Sequence, residues 1–223
     1  MNKKLIIFGD SAFAEIAYEY FTYDSDYEVV AFTVSSEFIK KDTLFNLPVI
    51  PFENIETIFD PNQYDMHVAL VYNNLNRIRT YFYEAAKNKG YTLANYISTK
   101  AFVWRNIEIG DNCFIFEDNT IQPFVKIGSN NVFWSGNHIG HHSIIGSHNF
   151  ISSHVVISGF CKVGNSNFIG VNATIGNNIT IDNDCLIGSF VHIVKDTPSG
   201  SLLKGTPNKI DEQNTWSKFN IEQ

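Results

Sequence analysis

Cysteine is scarce in this chain, three residues in 223. The three (Cys113, Cys161 and Cys185) fall in phase with a repeat described below, which argues for packed, reduced thiols and against a disulfide framework. Basic residues are outnumbered, 16 Lys and Arg against 23 Asp and Glu, for a net charge of -7. Such a balance offers no electrostatic footprint for nucleic acid or an anionic membrane. Long apolar runs are missing too. The stretch Leu5 to Phe8 that follows Lys3 and Lys4 stops at Gly9-Asp10, so it reads as a strand and not as a signal peptide. No segment is long enough to span a bilayer. These absences lead to the expectation of a cytoplasmic protein with no nucleic-acid or membrane partner. Also absent is a dinucleotide fingerprint: where G-x-G-x-x-G would follow the first strand, the chain reads Gly9-Asp10-Ser11-Ala12-Phe13-Ala14, which argues against tight NAD binding.

What the sequence does have is a repeat. Every sixth residue from Val103 to Ile193 is apolar, through Ile109, Ile115, Ile121, Ile127, Phe133, Ile139, Ile145, Ile151, Ile157, Val163, Ile169, Ile175, Ile181 and Ile187. A helix repeats at about 3.6 residues and an ordinary strand at about two. Period six without insertion marks a solenoid in which each repeat supplies one short strand, one turn and one inward β-branched side chain. Three repeats closing one turn of a prism place residue n on n+18, so that Ile109, Ile127, Ile145, Val163 and Ile181 form one ladder. The expectation is an all-β left-handed parallel β-helix of about five coils. Small or β-branched residues two positions before the aliphatics (Cys113, Val125, Ser143, Val155, Cys161, Ala173, Cys185, Val191) suit a narrow core. Asn119, Asn131, Asn137, Asn149 and Asn167 share that position, where stacked amides are expected to satisfy one another.

Before Tyr96 the pattern changes to alternating strands and helices. Strands are expected at Lys4 to Phe8, Glu28 to Val34, Pro48 to Pro51, Met66 to Tyr72 and Tyr91 to Ile97. Helices are expected at Ala12 to Tyr23, Glu53 to Phe59 and Asn74 to Asn88, with Gly90 as the cap of the last. This is a small Rossmann-like α/β domain with a parallel sheet. The expected division is 1–98 for that domain, 99–210 for the β-helix and 211–223 for a tail with weak helical character around Trp216 and Phe219. Ligands of such sheets bind at the carboxyl ends of the strands. Those ends carry Gly9 to Phe13, Val34 to Ser36 and Tyr72 to Arg77, and the helix start after Gly9 offers free N–H groups to an anion. Arg77 and Arg79 open a helix at that edge, either to pair with phosphates or as a solvated face.

The two-part order, a small Rossmann-like domain and then a hexapeptide β-helix, resembles the sugar acyltransferases of the sialic-acid O-acetyltransferase type. These include the bacterial nucleotide-sugar N-acetyltransferases acting on 4-amino-4,6-dideoxy sugars. The likeness runs from the first strand to Lys209. The family's I-x-H-[DE]-x-x-I-G pattern is met by Ile139-Gly140-His141-His142-Ser143-Ile144-Ile145-Gly146, with His142 in the usually acidic position. The family's glycine-rich turn after strand one is here Gly9-Asp10-Ser11-Ala12-Phe13.

The resemblance implies direct acyl transfer from acetyl-CoA, with His141 as general base, His142 beside it and a backbone N–H holding the tetrahedral oxyanion. It implies that the N-terminal domain takes the nucleotide-linked sugar, through Gly9, Asp10, Ser11, Ala12, Phe13, Ser35, Asn73 and Arg77, with His138 near the base. It places acetyl-CoA along turns at Gly159, Val171 and Ser189 and at Gly205, Pro207 and Lys209 of Lys204-Gly205-Thr206-Pro207-Asn208-Lys209, which resembles a terminal G-x-P-A-K segment. A homotrimer follows from a site built between β-helices. Phe114, Phe116, Phe124 and Trp134 are candidates for its interface or for the contact with the N-terminal domain.

Other readings compete. O-acetylation of a sugar such as sialic acid is the nearest, and a non-catalytic sugar-nucleotide-binding scaffold is another. A γ-carbonic-anhydrase-like metalloenzyme would need convergent histidines. His142, His148 and His154 occupy equivalent positions in successive repeats and so point from three different corners, and no metal is expected.

Overall fold

The computed structural model describes residues 3–207, 212, 214–219, 221 and 222. Strand β1 (Lys3–Phe8) lies between β2 (Tyr27–Val34) and β5 (Tyr64–Val68), parallel to both. Its residues Leu5 to Phe8 are all buried because helices cover both faces of the strand, which is why it reads as a continuous apolar run. Strand β4 (Leu47–Pro51) joins β2 in parallel, and β3 (Thr43–Leu44) adds to β4 antiparallel across a tight turn at Phe45 and Asn46. Both turn residues have positive φ, as a two-residue hairpin of this hand requires. Helix α1 (Ala12–Tyr23) buries Phe13, Ala14, Ala17 and Phe21, one stripe at helical spacing. Helix α2 (Arg77–Asn88) buries Arg79, Tyr83 and Ala86. Gly90, at φ +93°, closes α2 by donating its N–H to Lys87 O.

Four expected elements differ, the first being the strand foreseen at Met66 to Tyr72, which runs Tyr64–Val68. The helix foreseen at Glu53 to Phe59 is a 3-10 segment, Phe52–Thr57, broken by non-helical dihedrals at Asn54. The start of α2 moves from Asn74 to Arg77 because Asn74, Leu75 and Asn76 all have positive φ, a turn that no right-handed helix can contain. The strand foreseen at Tyr91 to Ile97 does not form as one piece. Leu93 only bridges to Met66, and Tyr96–Ile97 instead pairs with Phe114–Ile115 in the second half of the chain.

That second half is a left-handed parallel β-helix, built of two-residue strands stacked in three parallel sheets. Each strand pairs with the one 18 residues on, as in Lys126–Ile127 with Ile144–Ile145 and then Lys162–Val163. The inward aliphatics from Ile115 to Ile193 are buried throughout and form one core column, with Cys113, Cys161 and Cys185 in it. The core asparagines are satisfied differently from the expectation. Their side-chain amides bond to backbone groups and not to one another. Asn149 Oδ1 accepts the Asn167 N–H at 2.8 Å, its Nδ2 donates to Gly164 O at 2.9 Å, and Asn131 and Asn167 repeat the pattern of accepting the N–H one coil on. Backbone groups at a corner are fixed donors and acceptors, so the amides bind those first.

The outward residue of each strand decides what each face meets. One face presents Tyr96, Phe114, Val132, Phe150 and Phe168, and these pack under the N-terminal sheet and α1 in a shared core with Leu5, Phe13, Phe21 and Phe32. Phe116 and Trp134 stack at 4.5 Å and meet Phe13 of α1, so these residues and Phe114 serve the contact with the N-terminal domain, not an outer interface. A second face carries Glu108, Lys126, Ile144 and Lys162, all exposed. The third carries Phe102, Thr120, His138, Val156, Thr174 and His192. At the tail, Thr215–Phe219 is a short helix with Trp216 and Phe219 exposed. Among the described residues no helix is long and apolar enough to cross a membrane.

Candidate active site

The corner between the second and third faces is built by residues 122–125, 140–143, 158–161 and 176–179, one row per coil. The rows are locked by hydrogen bonds along the column. The His141 N–H reaches Gln122 Oε1 at 2.9 Å, the Phe160 N–H reaches His141 O at 3.0 Å, and the Gly159 N–H reaches Asn177 Oδ1 at 3.0 Å. His141 is exposed, and its imidazole lies over Gly159: a Cβ at position 159 would stand 2.9 Å from His141 Cε1 and 3.1 Å from Nε2. Glycine is therefore required here for close approach and not for an unusual φ. Beside it, His142 Nδ1 lies 3.1 Å from His141 Nδ1. The His142 ring is held between Phe124 (4.6 Å, 30°) and Phe160 (4.9 Å, 18°), and Phe160 meets His141 edge-on at 5.0 Å. An exposed imidazole fixed from one side, with an open approach, has what a general base needs, whereas the N–H groups of His141, His142, Gly159 and Phe160 are already donated along the column and offer an oxyanion no free donor.

Sequence reasoning singled out His141, His142 and Gly159 but missed Gln122, Phe160 and Asn177. The signal was available, since these lie in the same column at a spacing close to 18. His138 stands on the adjoining face in the strand leading to this corner, half-buried between Thr120 and Val156. His148 and His154 sit on the other two corners, each with positive φ like His142. Burial, with Arg79 and Arg77 adding to it, depresses the His148 pKa to about 4. Among the described residues no group of three or more His, Cys, Asp or Glu is placed to hold a metal ion.

The turns expected to line an acyl donor divide between two corners. Gly159 lies under His141. Val171 and Ser189 stack on each other at the far edge of the third face, with Gly205 so tightly beneath that any side chain there would collide with the Ser189 carbonyl. Pro207 is exposed just beyond. Near that end, a depression of about 460 Å³ is lined by His192, Lys195, Asp196, Pro198 and Leu202. Asn208 and Lys209 lie outside the described residues.

In the N-terminal domain, Gly9, Asp10, Ser11 and Ser35 do come together. With Phe8, Phe38, Leu70, Ile78 and Phe82 they line a narrow cleft of about 150 Å³ at the carboxyl ends of β1 and β2. Gly9, at φ +126°, lets the chain turn beneath Ala69, whose carbonyl oxygen a Cβ would approach to 2.9 Å. Ser11 precedes α1 without capping it through its side chain. Three of the expected contacts are placed elsewhere. Phe13 is buried against Phe114, Phe116 and Trp134. The Arg77 guanidinium pairs with Asp184 of the β-helix at 2.5 Å. Arg79, the other candidate for phosphate, is fully buried and donates to the carbonyls of Leu70, Val71, Asn130, His148 and Asn149. Ala12 and Asn73 are exposed near the strand ends, outside the residues that line the cleft.

The polar and aromatic contacts between the two halves of the chain come from the β-helix face under α1 and from its two flanking corners. Tyr20 reaches Glu117 on one, while Tyr83 and Arg77 reach Asp111 and Asp184 on the other. His141 stands on the third corner, across the prism from the domain that carries the cleft.

No protein-family model matches the sequence, and no curated protein matches it. Solved structures do match in fold. The acetyltransferase domain of PglB from Neisseria gonorrhoeae is 23% identical, covers 93% of this chain and 99% of that one, and superposes with a TM-score of 0.81. PerB from Caulobacter crescentus, in complex with CoA and GDP-perosamine, is 22% identical over 93% of this chain and 97% of that one, with a TM-score of 0.80. WeeI from Acinetobacter baumannii is 16% identical over 91% and 97% of the two chains, at 0.57. At such identities the likeness is one of fold, and it spans both halves of the chain.

Proposed function

We propose that the protein is an acetyl-CoA-dependent N-acetyltransferase acting on a nucleotide-linked amino sugar, with His141 as general base. The observation that carries this reading is the placement of His141, exposed on a β-helix corner with its ring over Gly159 and an open approach. The whole-chain likeness to PerB, solved with CoA and GDP-perosamine, supports the substrate pair. So does the likeness to a PglB acetyltransferase domain in complex with acetyl coenzyme A, which is 22% identical with a TM-score of 0.82.

In the reaction, the sugar amine attacks the thioester carbonyl while His141 Nε2 accepts the proton that the nitrogen sheds. The tetrahedral intermediate collapses, the C–S bond breaks, and the CoA thiolate recovers that proton from His141, leaving an amide and free CoA–SH. No covalent enzyme intermediate is required, and the cysteines, Cys161 of this corner included, are buried inside the coil.

The site is completed between chains. His141 faces away from its own cleft, and Gly159 and Ser189 border opposite edges of one face. A donor lying along the corner of one β-helix therefore meets the other edge on a neighbouring copy. That third face and its corners expose Phe102, Trp104, Phe124, Val156, Phe160 and Phe190, an apolar surface that a homotrimer would bury. Both substrates belong to the cytoplasm, and we assign the protein there.

The test is turnover, with thiol release followed by a chromogenic disulfide over a panel of UDP-, dTDP- and GDP-linked amino sugars. Release with one acceptor, abolished by His141→Asn, is the expected result. Silence with every acceptor, free sugars included, would remove the proposal. Sedimentation reads the oligomer separately, and a monomer at working concentration would contradict the shared site.

A further inference from the structure

The usual acidic neighbour of the base is a histidine in this chain, and the corner shows what such a replacement can do. Two ring nitrogens 3.1 Å apart cannot both present lone pairs, so one of His141 Nδ1 and His142 Nδ1 carries a proton and the other accepts it. Both directions satisfy the contact, but only one suits acyl transfer. When His142 donates, neutral His141 holds its proton on Nε2 and has no free basic nitrogen. When His141 donates from Nδ1, its Nε2 lone pair is free above Gly159. Once Nε2 has taken the proton of the acceptor amine, the same Nδ1–H bond becomes charge-assisted and stronger.

We propose that His142 is a positioning residue that fixes the reactive tautomer of His141 by accepting its Nδ1–H, a neutral imidazole serving where a carboxylate would otherwise stand; the proposal rests on the acyl-transfer reading of His141. The surroundings hold His142 to that task. Its ring is clamped between Phe124 and Phe160, which set the plane in which Nδ1 points. The three residues form one column, and each sits at positive φ, 67° for Phe124, 58° for His142 and 59° for Phe160. Left-handed backbone costs a non-glycine residue about 1–2 kcal/mol, and elsewhere in the same column Asn178 fills the position with a residue that tolerates it better. The same conformation recurs at the turns of the other repeats, so what sets this column apart is three consecutive aromatic rings, all largely exposed, a stack that orients the middle one.

Two variants separate positioning from packing. His142→Phe keeps a ring between Phe124 and Phe160 in a backbone conformation that phenylalanine already adopts in both adjacent rows, and it deletes the acceptor. His142→Asn suits the left-handed position, as Asn178 does, and returns an acceptor oxygen. Loss of the outer hydrogen-bond partner of a metal-bound histidine costs about 10–100-fold, and the same scale is expected for this metal-free pair. The expected result is a fall of that size in kcat for His142→Phe, with KM for acetyl-CoA unchanged, and recovery of most of it in His142→Asn and His142→Glu. Independently of turnover, long-range 15N–1H spectra of protein labelled at histidine report the tautomer of His141. The proposal requires the Nδ1–H form in the wild type and the Nε2–H form in His142→Phe. Nε2–H already in the wild type, or His142→Phe with unchanged tautomer and unchanged kcat, would overturn it. A tautomer that switches in a protein showing no transfer to any acceptor would uphold the pairing and remove the enzymatic reading instead.

Discussion

Gly159→Ala is the sharpest test of the geometry at His141. The added Cβ would lie 2.9 Å from His141 Cε1 and 3.1 Å from Nε2, with no other neighbour nearer than the same ring. Carbon atoms in good contact stand about 3.5–4.0 Å apart, so the imidazole has to retreat by roughly 0.7 Å. Nothing else must move. The backbone at 159 is compatible with alanine, and the ring in its way is the free end of an exposed side chain. The expected change in stability is within about 0.5 kcal/mol, the ordinary range for a surface substitution. Catalysis is far less forgiving, since a displacement near 1 Å can cost about 100-fold. A fall of about 10–100-fold in kcat is therefore expected, equivalent to roughly 1.4–2.7 kcal/mol of transition-state stabilisation. Thiol release gives kcat, and denaturant unfolding of the same preparation gives stability. Full kcat in a stably folded Gly159→Ala would refute the placement of the base over Gly159. A loss of several kcal/mol of stability would mean that the glycine serves the coil and not the base.

Three further outcomes follow from the same contacts. Arg79→Met removes a buried guanidinium and leaves the Leu70, Val71, Asn130 and His148 carbonyls without a partner where α2 meets the β-helix (Asn149 O keeps the Val132 N–H), and it is expected to cost about 3 kcal/mol or more, read from urea denaturation. A cost under about 1 kcal/mol would mean that water replaces the guanidinium freely. Asn149→Ala leaves the Asn167 N–H and the Gly164 carbonyl unpaired inside the column and should cost about 1–3 kcal/mol, whereas an unchanged midpoint would assign the asparagine ladder no structural weight. Stability should also fall in mild acid. Burial lowers both His67 and His148 from 6.5 to about 4, so between those values the unfolded chain binds protons that the folded chain refuses. The contribution is complete above about pH 6.5 and is lost as pH drops toward 4, and a flat urea midpoint from pH 7 to pH 5 would contradict it.

Much of this architecture is legible in the residues. The six-residue phase locates the strands of the β-helix because the narrow core takes an aliphatic at every inward position but Phe133, and a single insertion would have broken the column. The stripe of Phe13, Ala14, Ala17 and Phe21 likewise marks α1 to its ends. Docking of the two halves is less legible, although its trace is present. Tyr96, Phe114, Phe150 and Phe168 repeat at multiples of 18 in outward positions, and an outward aromatic column signals a covered face. Arg77 and Arg79 mislead because a cation at a helix start looks the same whether its partner is a phosphate, a carboxylate on another element or a row of carbonyls. Helix α2 starts late because Leu75 takes a left-handed conformation that nothing in its local sequence favours. At the site, His141 and His142 stand out by motif. The partners that fix them, Gln122, Phe124 and Phe160, are distant in number and close only through the coil.

The most direct measurement uses acetyl-CoA labelled with 13C at the carbonyl and follows the label by NMR. The thioester signal is expected to give way to an amide carbonyl on a nucleotide-linked amino sugar, and His141→Asn is expected to leave the label in the thioester. An ester carbonyl in place of the amide, or equal transfer by His141→Asn, would contradict that expectation.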